Sequence, residues 1–255
     1  MNAPYITTLA ESGAFSWQAE TVFPPATLPA HASLLSGVAP AEHGQDDNVV
    51  RPCGAFDFPT WLSTAAAEGH QTAMVAGKAP LCQFNIHQDT AFMLGAAGDR
   101  SVVEGVIAML EDGYTVILAH FPNPDYFGHI DGWMSATYLR ELENTDRQIG
   151  RLLDAVDDMG LRDDMLILLT ADHGGHGTAH GQNIPEDMRI PWIISGPGVI
   201  DNADLSTLAA DPVSLLDAAP TVLWALDMAI PQAMQGRVIC EAFGRTPSVH
   251  RHSCR

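Results

Sequence analysis

Apolar residues fall into two rhythms along the chain. Short runs rich in β-branched and large aliphatic side chains occur at 72–75, 115–121, 165–170 and 190–195, and each predicts a buried strand. In 135–159 the pattern changes: Tyr138, Leu142, Ile149, Leu152, Leu153 and Val156 recur at helical spacing, and Gly160 follows as a stop. Further helices are predicted over 58–68 and 212–226, the second carrying Pro220, which should kink or split it. Strands alternating with helices predict an α/β fold, a three-layer α/β/α sandwich around a mostly parallel sheet. No composition shift or internal repeat divides the chain, so residues 1–255 read as one domain.

Polar clusters sit where two of these strands end. The run 115–121 leads into Pro122-Asn123-Pro124-Asp125, and 165–170 leads into Ala171-Asp172-His173. Open α/β sheets collect ligands at the carboxyl ends of their strands, so the two clusters are expected to meet in space. Asp125 and His129 are four apart, one helical turn. His176 and His180 lie in the glycine-rich segment after Asp172 and His173. Two carboxylates and three or four imidazoles make a borderline-hard ligand set that suits zinc or manganese better than magnesium or calcium. A third segment, Phe23 to Gly37, places Pro29 in a first helical turn and Thr27 at the helix N-terminus, where backbone N–H groups favour an anion. A hydroxyl held there beside a metal becomes a nucleophile.

Composition limits the partners. Asp and Glu number 31 against 12 Lys+Arg, a formal net charge of -19. Such a surface repels nucleic-acid polymers and anionic membranes, so an anionic ligand needs a local cation. No apolar run approaches the roughly 20 residues that cross a bilayer, and no signal peptide is visible at the start of the given chain. The four cysteines form no CxxC pair and read as buried or free thiols.

Together these segments resemble the alkaline-phosphatase superfamily, specifically its nucleotide pyrophosphatase/phosphodiesterase-like branch. The resemblance runs through Thr27 to Gly44, Pro124-Asp125 to Gly128-His129, Asp172-His173-Gly174-Gly175 with His180-Gly181, Ile190-Pro191 to Gly198, and Asp217 to Leu223 with Gly236-Arg237. It implies an alkaline-phosphatase-like fold and a site for two divalent ions, zinc first and manganese second. Asp125, His129 and His180 match the ligands of one ion, and Asp172 and His173 match two ligands of the other, which the Thr27 oxygen also touches. Asn48 matches an asparagine that hydrogen-bonds a phosphoryl oxygen. The implied activity is that of a phosphodiesterase or nucleotide pyrophosphatase, a hydrolase acting on a small phosphate ester or nucleotide through a phosphothreonine intermediate. His31 and His43 are not placed by the resemblance and read as packing residues, His176 is an alternative to His180, and Lys78 reads as a solvated loop lysine.

The sequence departs from the family at its start. Members open with a buried strand ending in an Asp that binds the same ion as the threonine, whereas here no Asp precedes Asp46 and residues 4–14 resemble the helix after that strand. The expectation is a domain lacking its first strand, with the functional protein extending further upstream, so the compartment is left open. The alternatives are a shortened, catalytically impaired member or fragment, and a sulfatase or phosphonate hydrolase. Against a sulfatase, Thr27-Leu28-Pro29-Ala30-His31 has neither the Cys nor the Arg of that class.

Overall fold

A computed structural model describes residues 2–85, 90–208 and 211–255. The strands are β1 (Gly13–Glu20), β2 (Thr72–Ala76), β3 (Thr90–Leu94), β4 (Val116–His120), β5 (Ile167–Thr170), β6 (Arg189–Ser195) and β7 (Ala203–Asp204). The helices are α1 (Pro4–Glu11), α2 (Thr27–Ser36), α3 (Pro40–His43), α4 (Trp61–Ala67), α5 (Asp99–Glu111), α6 (Asn123–Asp131), α7 (Ala136–Asp158), α8 (Pro185–Met188), α9 (Leu205–Leu208) and α10 (Ala218–Ala225). All four expected strands and the 135–159 helix are present within a residue or two of their predicted ends. Ser135 caps α7 by accepting from Tyr138 N–H, and Gly160 ends it at φ 68°. The segment 212–226 splits rather than kinks: a 3₁₀ turn at Leu215–Asp217 gives way to α10, and Pro220 falls in its first turn, where no helical N–H is lost.

The strands form two sheets, ordered β5-β6-β1-β7 and β3-β2-β4. The second is parallel throughout, whereas β6 runs antiparallel to both its neighbours. Strand β1 had no expectation attached to it. Its inward positions are small, Trp17 is exposed, and the pairing with β6 shifts register between Ser16 and Ala19, so the alternation that marks a strand is broken. Gly13 is required there, because a Cβ would lie 2.1 Å from the Ile194 carbonyl oxygen.

Alternate side chains of the strands serve different cores. Met74 and Ala76 of β2 pack with α2, α4 and α10, while Val75 between them packs with Val102 and Val106 of α5. In β6, Ile190, Trp192 and Ile194 join α2 residues Ala30 and Leu34, and Ile193 turns to Leu9 of α1 and Ile149 and Leu153 of α7. Helices thus cover both faces, giving the three layers expected. Helix α2 is buried along its whole length, with core on both sides, and ends in a left-handed Gly37.

The cysteines correct the expectation of thiols. Cys53 pairs with Cys82 and Cys240 with Cys254, their Cα atoms 4.7 and 5.5 Å apart. Sequence separations of 29 and 14 gave no motif to read, and only the folded chain brings the partners together. Among the described residues no helix is long and apolar enough to cross a membrane.

His43 is packing, as expected, and it carries a pH dependence. It is buried edge-on to Phe56 and Phe58, Nδ1 accepts from Gln45 N–H at 3.1 Å, and Nε2 faces Ser33 Oγ at 2.9 Å. Burial, reinforced by the Arg51 charge, pulls it from 6.5 to about 4. The folded state therefore binds fewer protons than the unfolded chain between those values. Stability present above pH 6.5 should be lost as pH falls to about 4, by on the order of 3 kcal/mol from this residue. Melting temperatures from pH 7 to 4 for the wild type and His43→Gln test this: the variant should show the shallower acid slope, and parallel slopes would refute it.

Candidate functional site

Helix α2 sets the position of Thr27. Its side chain is buried at the first turn, and Asn48 reaches across to accept from Leu28 N–H at 2.8 Å. With its oxygen used as a cap, the Asn48 amide is oriented with its NH₂ group as the remaining donor. Cys53–Cys82 anchors the end of this Asn48 loop to the turn Ala79–Phe84, just after Lys78.

The two strand-end clusters do meet. Asp125 lies in the first turn of α6 with His129 one turn on, Nε2 to Oδ1 3.4 Å. From the β5 side, His173 Nε2 comes to 3.7 Å of the same oxygen and 3.5 Å of Asp172 Oδ2, and His180 Nε2 comes to 3.7 Å of Asp125 Oδ1. Each of the three imidazoles presents its other nitrogen to a backbone carbonyl: His129 Nδ1 to Thr178 O at 3.0 Å, His173 Nδ1 to Gly174 O at 2.8 Å, His180 Nδ1 to Pro25 O at 2.8 Å. A carbonyl only accepts, so each Nδ1 carries the hydrogen and each Nε2 offers a lone pair. Three Nε2 atoms therefore converge on two carboxylates.

This arrangement fits divalent cations. Asp125 Oδ1, Asp172 Oδ2 and His173 Nε2 are buried without a hydrogen-bond partner, a costly state for polar atoms that a cation would relieve. Asp125, His129 and His180 have donor atoms within 4.8 Å of one another, the one such triad among the described residues. Asp172 Oδ2 and His173 Nε2, 3.5 Å apart, lie beside this triad.

Three residues differ from their sequence reading, and a fourth was not singled out. Lys78 is not a solvated loop lysine. Its ammonium lies 2.6 Å from Asp125 Oδ2 and donates to Thr27 Oγ1 at 3.2 Å. Gly77 makes this possible, since a Cβ there would fall 2.3 Å from the Pro122 ring that precedes α6. His31 is buried, as packing requires, yet it also faces the site, with Nδ1 2.8 Å from Thr27 O and 3.5 Å from Asp172 Oδ2. His176 is not an alternative to His180, because its Nδ1 is held 2.7 Å from the buried Asp187, which also accepts from Gln182 N–H and so shapes the glycine-rich loop. Trp133 had no reading at all. Its ring lies where a Cβ on Gly128 or Gly175 would be, at 2.6 and 2.2 Å, and the Trp133 backbone N–H donates to Gly177 O at 2.7 Å. It thereby pins α6 to the loop that carries His180. The glycines around it were visible in the sequence, but not the ring they accommodate.

Burial governs the local titrations. It lowers His31 and His180, and it pulls His120, at the end of β4, to about 3, helped by the neighbouring His31. For Asp172 burial pushes upward, but the positive forms of His173 and His31 and the Lys78 ammonium outweigh it, and the carboxyl sits below its usual range.

Residues 2–188 match the family model of type I phosphodiesterase / nucleotide pyrophosphatase. A 2,3-bisphosphoglycerate-independent phosphoglycerate mutase from Cyanothece sp. (strain PCC 7425 / ATCC 29141) is 35% identical over 159 residues, 57% of this chain and 28% of that protein. The mutase of the same description from Aliivibrio fischeri (strain MJ11) is 33% identical over 150 residues, 54% of this chain and 26% of its own. The chain thus spans under a third of the length of these curated relatives. Among solved structures, murine ectonucleotide pyrophosphatase / phosphodiesterase 5 superposes with a TM-score of 0.74 at 14% identity, covering 91% of each chain. A phosphonate monoester hydrolase from Silicibacter pomeroyi superposes with a TM-score of 0.71 at 17% identity, covering 98% of this chain and 73% of that one. These structures show the shared alkaline-phosphatase-like fold.

The pinning role of Trp133 is testable. Trp133→Ala should weaken zinc binding about 10-fold or more, as loss of outer partners of metal ligands does. Competition against a chromophoric chelator measures it, and an unchanged affinity would remove Trp133 from the design of the site.

Proposed function

The chain belongs to the type I phosphodiesterase / nucleotide pyrophosphatase family, and from that premise we propose that it is a phosphoric-ester hydrolase acting through Thr27. The observation that carries the reading is the convergence of His129, His173 and His180 Nε2 on Asp125 and Asp172, beside a buried helix-terminal hydroxyl.

In this reading Asp125, His129 and His180 hold one divalent cation, and Asp172 and His173, with Thr27 Oγ1, hold a second. Three imidazoles with two carboxylates favour zinc over manganese. Cations bound there supply positive charge that favours ionised Thr27 and steadies the leaving oxygen. The chain's own residues do the rest. Thr27 Oγ1 attacks phosphorus, the ester oxygen leaves with the electron pair of its P–O bond, and a phosphothreonine results. Water then displaces Thr27 and releases phosphate or a phosphomonoester. The Asn48 NH₂ group binds charge on an equatorial oxygen, and α2, buried from end to end, holds the nucleophile in line. A phosphate ester or nucleotide is the substrate class. The relatives' chemistry spans phosphoglycerate mutases and a phosphonate monoester hydrolase, and phosphonate or sulfate ester hydrolysis are the enzymatic rivals.

A second reading has a specific observation in its favour. Among the described residues, strands β4 and β5 are each hydrogen-bonded along one edge only, although the loops that follow them meet at the site. We propose that a further strand belongs between them, as the family resemblance implies. Without it the second cation has Asp172 as its one carboxylate, and a shortened, impaired enzyme is the alternative.

Metal analysis and one substitution separate these. Two zinc ions per chain are expected, with hydrolysis of a bis-aryl phosphodiester that a chelator abolishes and Thr27→Ala lowers by at least about a thousandfold. One zinc and no turnover would favour the impaired form. Turnover unaffected by Thr27→Ala would refute the nucleophile.

A further inference from the structure

We propose that Asp99 is a positioning residue for the cation site, its buried carboxylate fixing the start of α6 and through it the side chains of Asp125 and His129; this rests on the reading that those two residues hold a divalent ion. Asp99 is 1% exposed and opens α5, and each of its oxygens reaches a different helix. Oδ1 accepts from Asn123 N–H, the first amide of α6, at 3.0 Å, and Oδ2 accepts from the Thr145 hydroxyl of α7. One carboxylate thus joins three helices. Burial pushes this carboxyl upward, and the bonds from Thr145 and Asn123 offset part of the push.

Helix α6 cannot supply the contact itself. Pro122 precedes it without a side chain that accepts, so the N–H of Asn123 has neither a local cap nor a helical carbonyl to donate to. Asp99 takes that N–H from outside the helix, and its charge lies at the end of α6 where the helix dipole favours it. The approach is close. Gly98 stands at φ 91°, and a Cβ there would lie 2.8 Å from Asn123 Oδ1.

The tether matters because α6 has little core of its own. Of the nine residues Asn123–Asp131, Gly128 alone is buried, so apolar packing does not fix where the helix sits. Its position is set at its ends, by Trp133 beyond the last turn and by Asp99 at the first. Asp125 lies two residues after the tethered amide and His129 one turn further, and ligand atoms must be held to about 0.5 Å to bind a cation well. A simpler role, packing α5 against α7, accounts for the Thr145 bond and leaves the bond to Asn123 unexplained.

Competition against a chromophoric chelator, with zinc as the probe and the full chain as the protein, tests the assignment. Asp99→Ala should bind zinc at least about 10-fold more weakly than the wild type, as loss of an outer partner of metal ligands does. Asp99→Asn keeps an oxygen that accepts from Asn123 N–H, and Thr145→Val removes only the other contact, so both should stay within about threefold of the wild type even where their melting temperatures fall. Wild-type affinity in a folded Asp99→Ala overturns the role. So does an Asp99→Asn as weak as Asp99→Ala, because charge rather than the tether would then be acting, and so does an equally weak Thr145→Val, because packing of α5 on α7 would then suffice. Should Asp99→Ala not fold, amide exchange in the zinc-loaded wild type decides: Asn123 N–H should exchange at least about a hundredfold more slowly than an unprotected amide, and free exchange overturns the tether. All of these outcomes leave the cation reading in place. A wild-type chain that binds no zinc overturns that reading, and the inference with it.

Discussion

Asp125 Oδ1 is buried and accepts no hydrogen bond, while three imidazole nitrogens stand 3.4 to 3.7 Å away and none carries a hydrogen toward it. Such a set of lone pairs facing lone pairs repels itself, and it persists because the surrounding fold leaves the groups nowhere else to go. Asp125 is fixed by the first turn of α6, His129 by the next turn, His180 by a carbonyl just before α2, and His173 by the chain beyond β5. The energy that holds them is spent in the hydrophobic cores and in the Trp133 contact, not in the site itself. This is the kind of preorganisation a cation rewards, since the repulsion is relieved only when positive charge enters.

The acidity of the whole chain looks different beside this centre. A net charge of -19 spread over the surface disfavours anions at long range. Within the site, however, Lys78 pairs with Asp125 before any divalent ion is counted. Any anion held at this centre is therefore attracted at short range, by a few fixed charges in partly buried surroundings, where salt screens them less than it screens the surface.

Much of the architecture was legible because it rests on periodicity. The runs at 72–75, 115–121, 165–170 and 190–195 are continuous apolar segments, and the heavily amphipathic 135–159 allows one reading only. Strand β1 escaped because its inward residues are small and its register shifts, so no alternation marks it as a strand. At the site, motif spacing brought Asp125, His129, Asp172, His173 and His180 into view, and the strand-end argument put them together. What spacing cannot convey is direction. Lys78 lies in a loop, and only the contact of Gly77 with Pro122 turns it inward. His176 and His180 are equivalent in sequence, and the buried Asp187 decides between them. The disulfides were hidden for the same reason, since Cys53 and Cys82 become neighbours only through the fold.

Helix α2 has every residue from Thr27 to Ser36 buried, whereas the imidazoles and Asn48 ride on loops and on the exposed flank of α6. The parts of the centre therefore belong to different opening events. Amides of α2 exchange with solvent only when the whole core opens, but the glycine-rich segment and the Asn48 loop can open locally at far lower free energy. Heat or mild denaturant should thus disperse the imidazole cluster while Thr27 is still in place. Loss of the centre precedes loss of the fold, and it is reversible for as long as α2 stays closed.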